Sequence, residues 1–153
     1  MNYEENLNKT RKILDFADHM TYITFPLVKE NKLIIKILLE IEKALKSLIS
    51  SILQYEYSFK RIPIYKDPEL NFKIFLRLAK KYDISEQEIQ DIKRILFLAK
   101  KHKNSEFEFT KDRKFVIMSQ TNTFSLSLEK VKSFLKTLKN ILKKAEFIIN
   151  TKK

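Results

Sequence analysis

The stretch NKLIIKILLEIEKALKSLISSILQYEYSF, residues 31–59, determines how the rest of the chain can be arranged. Apolar residues recur in it with heptad spacing, in two interleaved series: Ile34, Ile41, Leu48 and Tyr55, then Leu38, Leu45, Ile52 and Phe59. This pattern predicts one long bundle helix from about Asn31 to Phe59. Additional apolar residues widen the stripe, so we expect the helix at the centre, with neighbours on more than one side.

The composition limits both the fold and the chemistry. A chain of 153 residues can bury its own core, and residues 1–153 are expected to form a single domain. The absence of glycine disfavours phosphate-cradling loops and many-stranded sheets with tight turns. The absence of cysteine excludes disulfides and agrees with a cytoplasmic location. The sequence predicts neither a signal peptide nor a membrane span.

Helix signals on both sides of the long helix predict further members of a bundle. An N-terminal helix is expected from about Glu4 to Ile23, and Pro26 then bends or ends it. Its apolar face contains Leu7, Leu14 and Ala17, with Ile13, Phe16 and Met20 beside them.

Two further helix starts follow the long helix. Asp67 as N-cap and Pro68 at the first helical position begin a third helix. The residues of this helix that are expected to face inward are Phe72, Phe75, Leu76 and Ala79. Ser85 and Glu88 form a capping box for a fourth helix, which is expected to run to about His102.

The pattern changes to alternation in EFEFTKDRKFVIMS, residues 106–119, which predicts a short hairpin around a polar turn. A last helix is expected from near Ser127, with a second heptad seam: Leu128, Val131, Leu135, Leu138, Leu142, Ala145 and Ile149. The predicted fold class is therefore all-α. It is an antiparallel bundle of four to five helices, with a short β-like hairpin or extended excursion before the last helix.

No constellation in the sequence predicts catalysis. Arg11 precedes His19, and Arg94 precedes His102, by eight positions each. Along a helix this is about 12 Å of rise and about 80° of rotation, so neither pair can meet within its own helix. Convergence between helices is left open. We predict no metal site, no cofactor and no catalytic residue, and expect that the protein is not an enzyme.

Basic residues are the clearest functional signal in a chain of net charge +12, which favours an anionic partner. Four of them follow one side of the last helix at i, i+4, i+7 and i+11: Lys132, Lys136, Lys139 and Lys143. Others cluster earlier in the chain: Lys100, Lys101, His102 and Lys103, then Arg113 and Lys114. These residues are the predicted nucleic-acid-binding set. The alternative is an ordinary solvated surface.

Aromatic and basic residues also crowd the end of the long helix, in LQYEYSFKRIPIYKDPEL, residues 53–70. Tyr55 and Phe59 lie on the heptad seam and are expected in the core. The remaining side chains are candidates for a stacking-and-charge patch of the kind that binds single strands: Tyr57, Lys60, Arg61 and Tyr65. The alternative is that this stretch only ends a core helix and crosses to the next one.

The order of elements, with a long amphipathic second helix and a basic, His-containing stretch late in the chain, resembles the HEPN superfamily of small α-helical domains. The stretches ADHMTYITFPLVKENKLIIKIL, LQYEYSFKRIP and KKHKNSEFEFTKDRKFVIMS are also similar to uncharacterised archaeal helical proteins of this length. Ribonuclease members of HEPN carry an arginine and a histidine separated by four to six residues, whereas both gaps here are seven. The resemblance therefore implies a non-catalytic binding member.

Together these features predict a non-catalytic, basic helical-bundle protein that binds RNA or a ribonucleoprotein through lysine-rich helix faces. The alternative is a homodimeric or partner-docking protein that binds no nucleic acid. A HEPN-type ribonuclease with atypical Arg and His spacing is the least favoured hypothesis. No membrane partner is expected.

Overall fold

The structure is a computed structural model that describes residues 2–151. It contains five helical stretches and three strands. The first stretch is α1 (Tyr3–His19), a π-helical segment (Met20–Thr24) and α2 (Phe25–Val28) in continuous succession. The other elements are α3 (Leu33–Ser58), α4 (Pro68–Leu78), α5 (Glu86–Lys103), β1 (Phe107–Lys111), β2 (Lys114–Met118), β3 (Thr123–Ser127) and α6 (Leu128–Thr151). Lys152 and Lys153 lie outside the described residues.

The central position predicted for the long helix is confirmed. α3 contacts α1, α4, α5, α6 and strands of the sheet. Its heptad residues from Ile34 to Tyr55 are all buried, and several are completely inaccessible to solvent: Ile34, Leu38, Ile41, Leu45, Leu48 and Ile52. Burial of these side chains on several sides of α3 stabilises the packing of the bundle around it, because each side chain removes apolar surface from water.

The burial predicted for Phe59 is wrong, because 50% of this residue is exposed. α3 ends at Ser58, and Phe59 is its C-cap with φ −100°, so its side chain leaves the face that carries the seam. The ring instead packs against Tyr55, with centroids 5.1 Å apart. A heptad pattern in the sequence does not show at which residue the helix ends.

The first helix extends past its predicted end near Ile23, and of the two outcomes predicted for Pro26, a bend or an end, the structure excludes the end. Proline lacks an N–H, and its ring crowds the carbonyl four residues earlier. The structure passes this point through a widened π turn, in which the Phe25 N–H donates to the carbonyl of Met20, five residues before it. The helix then continues to Val28 and ends at Lys29, which has the left-handed φ of 55°.

The predicted hairpin is present, but it belongs to a three-stranded antiparallel sheet with the order β1-β2-β3. The third strand, β3, was not predicted, although its residues Phe124 and Leu126 alternate with polar residues. Buried residues of β2 and β3 join the helical core, among them Phe115, Ile117 and Leu126. The fold is thus mostly helical and not purely all-α. A lone hairpin is marginally stable, and the third strand with the helical core supplies the support it needs.

Polar contacts fix α6 between its neighbours. Arg11 of α1 forms an ion pair with Glu146 of α6, with 3.1 Å between Nη2 and Oε2. On the other side, the buried Thr137 hydroxyl donates to Asp91 of α5 at 2.6 Å. These contacts leave the remaining face of α6 open to solvent. Within residues 2–151, no helix is long and apolar enough to cross a membrane.

Candidate nucleic-acid interface

The lysines predicted on the last helix lie on α6, and two of them, Lys132 and Lys139, contact the first helical stretch. The heptad seam turns inward, with Val131 and Leu138 fully buried, so a lysine placed beside the seam reaches the surface. Lys136 and Lys143 are exposed, and neither forms an ion pair with any residue from 2 to 151. These four lysines, Lys132, Lys136, Lys139 and Lys143, form a surface feature that we call the lysine stripe, and at least two of them have no ion pair within residues 2–151.

An aromatic ring that the sequence analysis did not single out lies beside this stripe. Tyr22 belongs to the π segment and is 49% exposed. The ammonium groups of Lys132 and Lys139 lie 5.4 Å and 6.0 Å from its ring centroid. Lys136 lines the same surface depression. We call these four residues, Tyr22, Lys132, Lys136 and Lys139, the Tyr22 cluster.

Carboxylates near the Tyr22 cluster only partly balance its charge. Lys139 forms an ion pair with Asp18 of α1, and Glu129 also lines the depression. Lys132 lies against the ring of Tyr22 and forms no ion pair within residues 2–151. Attraction between a lysine and an aromatic face holds the ammonium group at the surface without neutralising it. The cluster thus presents positive charge next to an accessible ring.

A second group of aromatic and basic residues lies where α5 meets β3. The rings of Phe97 and Phe124 pack edge to face, with centroids 5.1 Å apart. The Arg94 guanidinium is 5.1 Å from the Phe97 centroid, and the Lys101 ammonium is 5.4 Å from it. We call these four residues the Phe97 cluster. Since β3 leads directly into α6, one member of this cluster, Phe124, lies eight positions before Lys132 in sequence.

The other residues of the predicted basic set are dispersed over different surfaces. Lys100 lines a cleft between helices, and Lys103 forms an ion pair of 3.6 Å with Glu42 of α3. His102 contacts Glu108 of β1 through Nδ1 at 2.6 Å. Adjacent residues of a helix point about 100° apart, so a run of four cannot form one face.

The remaining two members, Arg113 and Lys114, lie at the turn between β1 and β2 and are exposed. Asp112 and Arg113 both take the left-handed conformation there, with φ of 52° and 63°. The structure therefore places these basic residues on the sheet, on an element different from that of the lysine stripe.

The proposed stacking patch at the end of α3 is built around a buried carboxylate. Glu56 is 1% exposed. It accepts two hydrogen bonds from Arg61, at 3.2 Å and 2.9 Å, and it also accepts from Lys81 and from the hydroxyl of Tyr82. The Arg61 guanidinium lies 4.6 Å from the Phe59 ring centroid. Arg61 is thus engaged in an internal contact.

The charge state of Glu56 follows from these partners. Burial alone would raise the pKa of Glu56, but hydrogen bonds from Arg61 and Lys81 outweigh it and hold the pKa below its ordinary value. Burial, with the charge of Glu56 nearby, raises the pKa of Tyr82. Two exposed rings remain in the patch, Tyr57 and Tyr65, together with Lys60, which has a left-handed φ of 59°.

The two Arg and His pairs have separate partners. Arg11 pairs with Glu146, and Arg94 lies on the Phe97 cluster. His102 contacts Glu108, and within residues 2–151 no hydrogen bond joins either arginine to either histidine. Nor does that part of the chain hold any group of three or more His, Asp or Glu side chains that could bind a metal ion.

Comparison with protein-family models, curated proteins and solved structures gives no match to this chain. The resemblance to the HEPN superfamily is therefore a hypothesis that rests on the sequence features alone.

The Tyr22 cluster was missed for a physical reason. Tyr22 and Lys132 are more than a hundred positions apart, and only the packing of α1 against α6 brings them together. Part of the Phe97 cluster could have been predicted from the sequence, because Arg94, Phe97 and Lys101 follow i, i+3 and i+7 spacing on one helix.

Proposed function

We propose that this protein binds single-stranded RNA, alone or within a ribonucleoprotein, through the outer face of α6, and that it does so without catalysing a reaction. The observation that supports this most directly is the Tyr22 cluster, in which a half-exposed ring and three lysines share one surface depression. Single-strand binding proteins combine positive charge for the backbone with aromatic rings on which bases stack. Duplex binding needs the charge but not the ring.

Each part of the cluster has a separate task in this proposal. The three lysines of the cluster, together with Lys143 farther along α6, contact phosphates, which releases counterions and makes the affinity depend on salt. Tyr22 stacks on a base once the lysines that border its ring turn toward the phosphates. Phosphate contacts and stacking do not read base edges, so the protein is expected to show little sequence preference.

The test is the binding of fluorescein-labelled RNA of about twelve nucleotides, measured by anisotropy at 50 mM salt. We expect single strands to bind more tightly than a duplex of the same sequence, and mixed sequences to bind about equally. The RNA should remain intact after incubation. The absence of binding at 50 mM salt would contradict the proposal. Cleavage that disappears in a His102→Ala variant would support the ribonuclease hypothesis instead.

A specific observation favours a second candidate function, self-association. Four apolar residues of the first helical stretch are exposed on its surface: Phe16, Ile23, Leu27 and Val28. Leu27 alone is 80% exposed, and contiguous exposed apolar surface is typical of interaction sites. Sedimentation velocity distinguishes the two cases. A dimer that Ile23→Lys converts to a monomer would support self-association, and a monomer at all accessible concentrations would exclude it.

A further inference from the structure

A cleft of about 960 Å³ lies between α3, α4 and α5, on a part of the molecule not used in the proposed function. Its walls are aliphatic and aromatic side chains from all three helices: Ile49, Leu53, Phe72, Leu76 and Leu96. The inward orientation predicted for Phe72 and Leu76 is thus only partly realised, since both are half-buried at this cleft. Spaces of this size between bundle helices are common ligand sites.

The cleft has an apolar end and a charged end. Along α3, the charged lining residues Glu42 and Lys46 precede the apolar residues Ile49 and Leu53. Along α5 the order is reversed, because Leu96 precedes the charged residues. The ion pair between Lys103 of α5 and Glu42 of α3 brings the two charged ends together. From Lys46 to Leu53 the two ends are about 10 Å apart along α3.

Positive charge is in excess at this site. Four lysines line the cleft against two glutamates: Lys46, Lys73, Lys100 and Lys103 against Glu42 and Glu69. Glu42 is already paired, at 3.3 Å with Lys46 and at 3.6 Å with Lys103. Lys73 and Lys100 form no ion pair with any residue from 2 to 151. An anionic group entering the charged end would therefore meet Lys100, whose ammonium group has no carboxylate partner within residues 2–151.

We propose that this cleft binds a single-chain anionic amphiphile of the long-chain carboxylate class. The carboxylate lies at the Lys46–Lys100 end, where Lys100 supplies an ammonium group that has no ion pair within residues 2–151. The hydrocarbon chain lies along Ile49, Leu53 and Leu96, which removes apolar surface from water on both sides. Ser50 is the uncharged polar side chain that α3 contributes to the lining, and the Asn71 side chain of α4 already hydrogen-bonds to the backbone of Tyr65.

The test uses isothermal titration calorimetry of the full chain with octanoate, decanoate and dodecanoate, below micelle-forming concentrations. We expect saturable binding that tightens about 15-fold for each two methylenes added until the chain fills the cleft. Decyltrimethylammonium, which has the opposite charge, should bind at least tenfold more weakly than decanoate. No heat of binding for any of the carboxylates, or equal affinity for the cationic amphiphile, would overturn the proposal.

Two variants locate the site. Ser50→Phe adds a ring to the lining and should abolish binding, while Lys100→Gln should weaken decanoate about 5- to 10-fold. Lys9→Gln, a matched loss of charge at an exposed position of α1, should change nothing. Circular dichroism and thermal melting establish that each variant is folded. Unchanged binding by folded Ser50→Phe, or binding of an acidic amphipathic peptide in place of decanoate, would show that the assignment is wrong.

Discussion

At the scale of single residues, Tyr22 is the side chain that separates RNA binding from a merely charged surface. Replacing it with alanine removes the ring but none of the four stripe lysines. Loss of one base stack costs about 1–3 kcal/mol, so Tyr22→Ala should weaken single-stranded RNA about 5- to 150-fold. Duplex affinity should change little. Fluorescence anisotropy with both RNAs gives the comparison.

Tyr65 provides a matched control for this prediction, because it is 48% exposed, against 49% for Tyr22. It belongs to the alternative stacking patch at the end of α3, whose Arg61 is bound to Glu56. Tyr65→Ala should therefore leave RNA binding unchanged. If Tyr65→Ala weakened binding and Tyr22→Ala did not, the interface would lie at the patch and not on α6.

A second prediction at this scale concerns the contribution of Glu56 to the free energy of unfolding and its dependence on pH. Glu56→Gln keeps the shape of the side chain but removes the charge that Arg61 and Lys81 contact. Hydrogen bonds to charged groups contribute about 1.5–3 kcal/mol, so we expect a loss of roughly that size at pH 7 in urea unfolding. Glu40→Gln, the same change at a surface pair with Lys43, should cost under about 0.5 kcal/mol.

The pH dependence of this loss has a definite sign. The folded-state pKa of Glu56 lies below the ordinary glutamate value of 4.5. Its contribution is therefore fully present above about pH 4.5 and is lost as the pH falls through the folded-state pKa. The stability difference between the wild-type protein and Glu56→Gln should shrink in that acidic range. A difference that stays constant down to pH 2 would show that the charge of Glu56 is not what stabilises the cluster.

At the scale of elements, the sequence predicted the helices that have local signals but not the features that depend on packing. The heptad seam of α3 and the capping box of α5 are repeated or short-range signals, and both are present in the structure. The continuation of the first helix past Pro26 and the presence of β3 were missed. Both depend on support from packing, since neither a π turn nor a short strand is stable by local sequence alone.

The lysine stripe of α6 gives the prediction that belongs to a whole element. If four lysines each contact one phosphate of a single strand, the logarithm of the affinity should fall with the logarithm of salt at a slope of about −2.8. Affinity would then drop about 50-fold between 50 and 200 mM salt. Lys136→Gln with Lys143→Gln should reduce the slope to about −1.4, because two contacts remain.

A double variant at Lys66 and Lys80, also to glutamine, controls for the loss of net charge. Both lysines are exposed, and they lie in the segments before and after α4. Their replacement should leave the slope near its original value. An equal change of slope in both double variants would mean that RNA responds to the overall charge of +12 and not to α6.

At the scale of the whole molecule, the candidate site was less predictable than the fold. The lysines of α6 could be selected from the sequence because they share one helix and one period. Their partner Tyr22 comes from the other end of the chain, and no periodicity relates it to them. In the same way, the excess charge of the α3–α4–α5 cleft results from lysines on three helices, which only the tertiary packing brings together. A site formed by tertiary packing can be predicted only once the packing itself is known.

The common core predicts how the molecule unfolds. Leu45 of α3 is fully buried in the same core cluster as Phe115, Ile117 and Leu126 of the sheet. Leu45→Ala should cost about 2–5 kcal/mol, because it leaves a cavity at the centre of the bundle. If helices and sheet form one cooperative unit, amide hydrogen exchange should accelerate by the same factor in α3 and in β2. Leu27→Ala, at a position 80% exposed, should change stability by less than about 0.5 kcal/mol. Faster exchange in α3 with unchanged exchange in β2 would show that the sheet is a separate folding unit and that its contacts with the bundle add little stability.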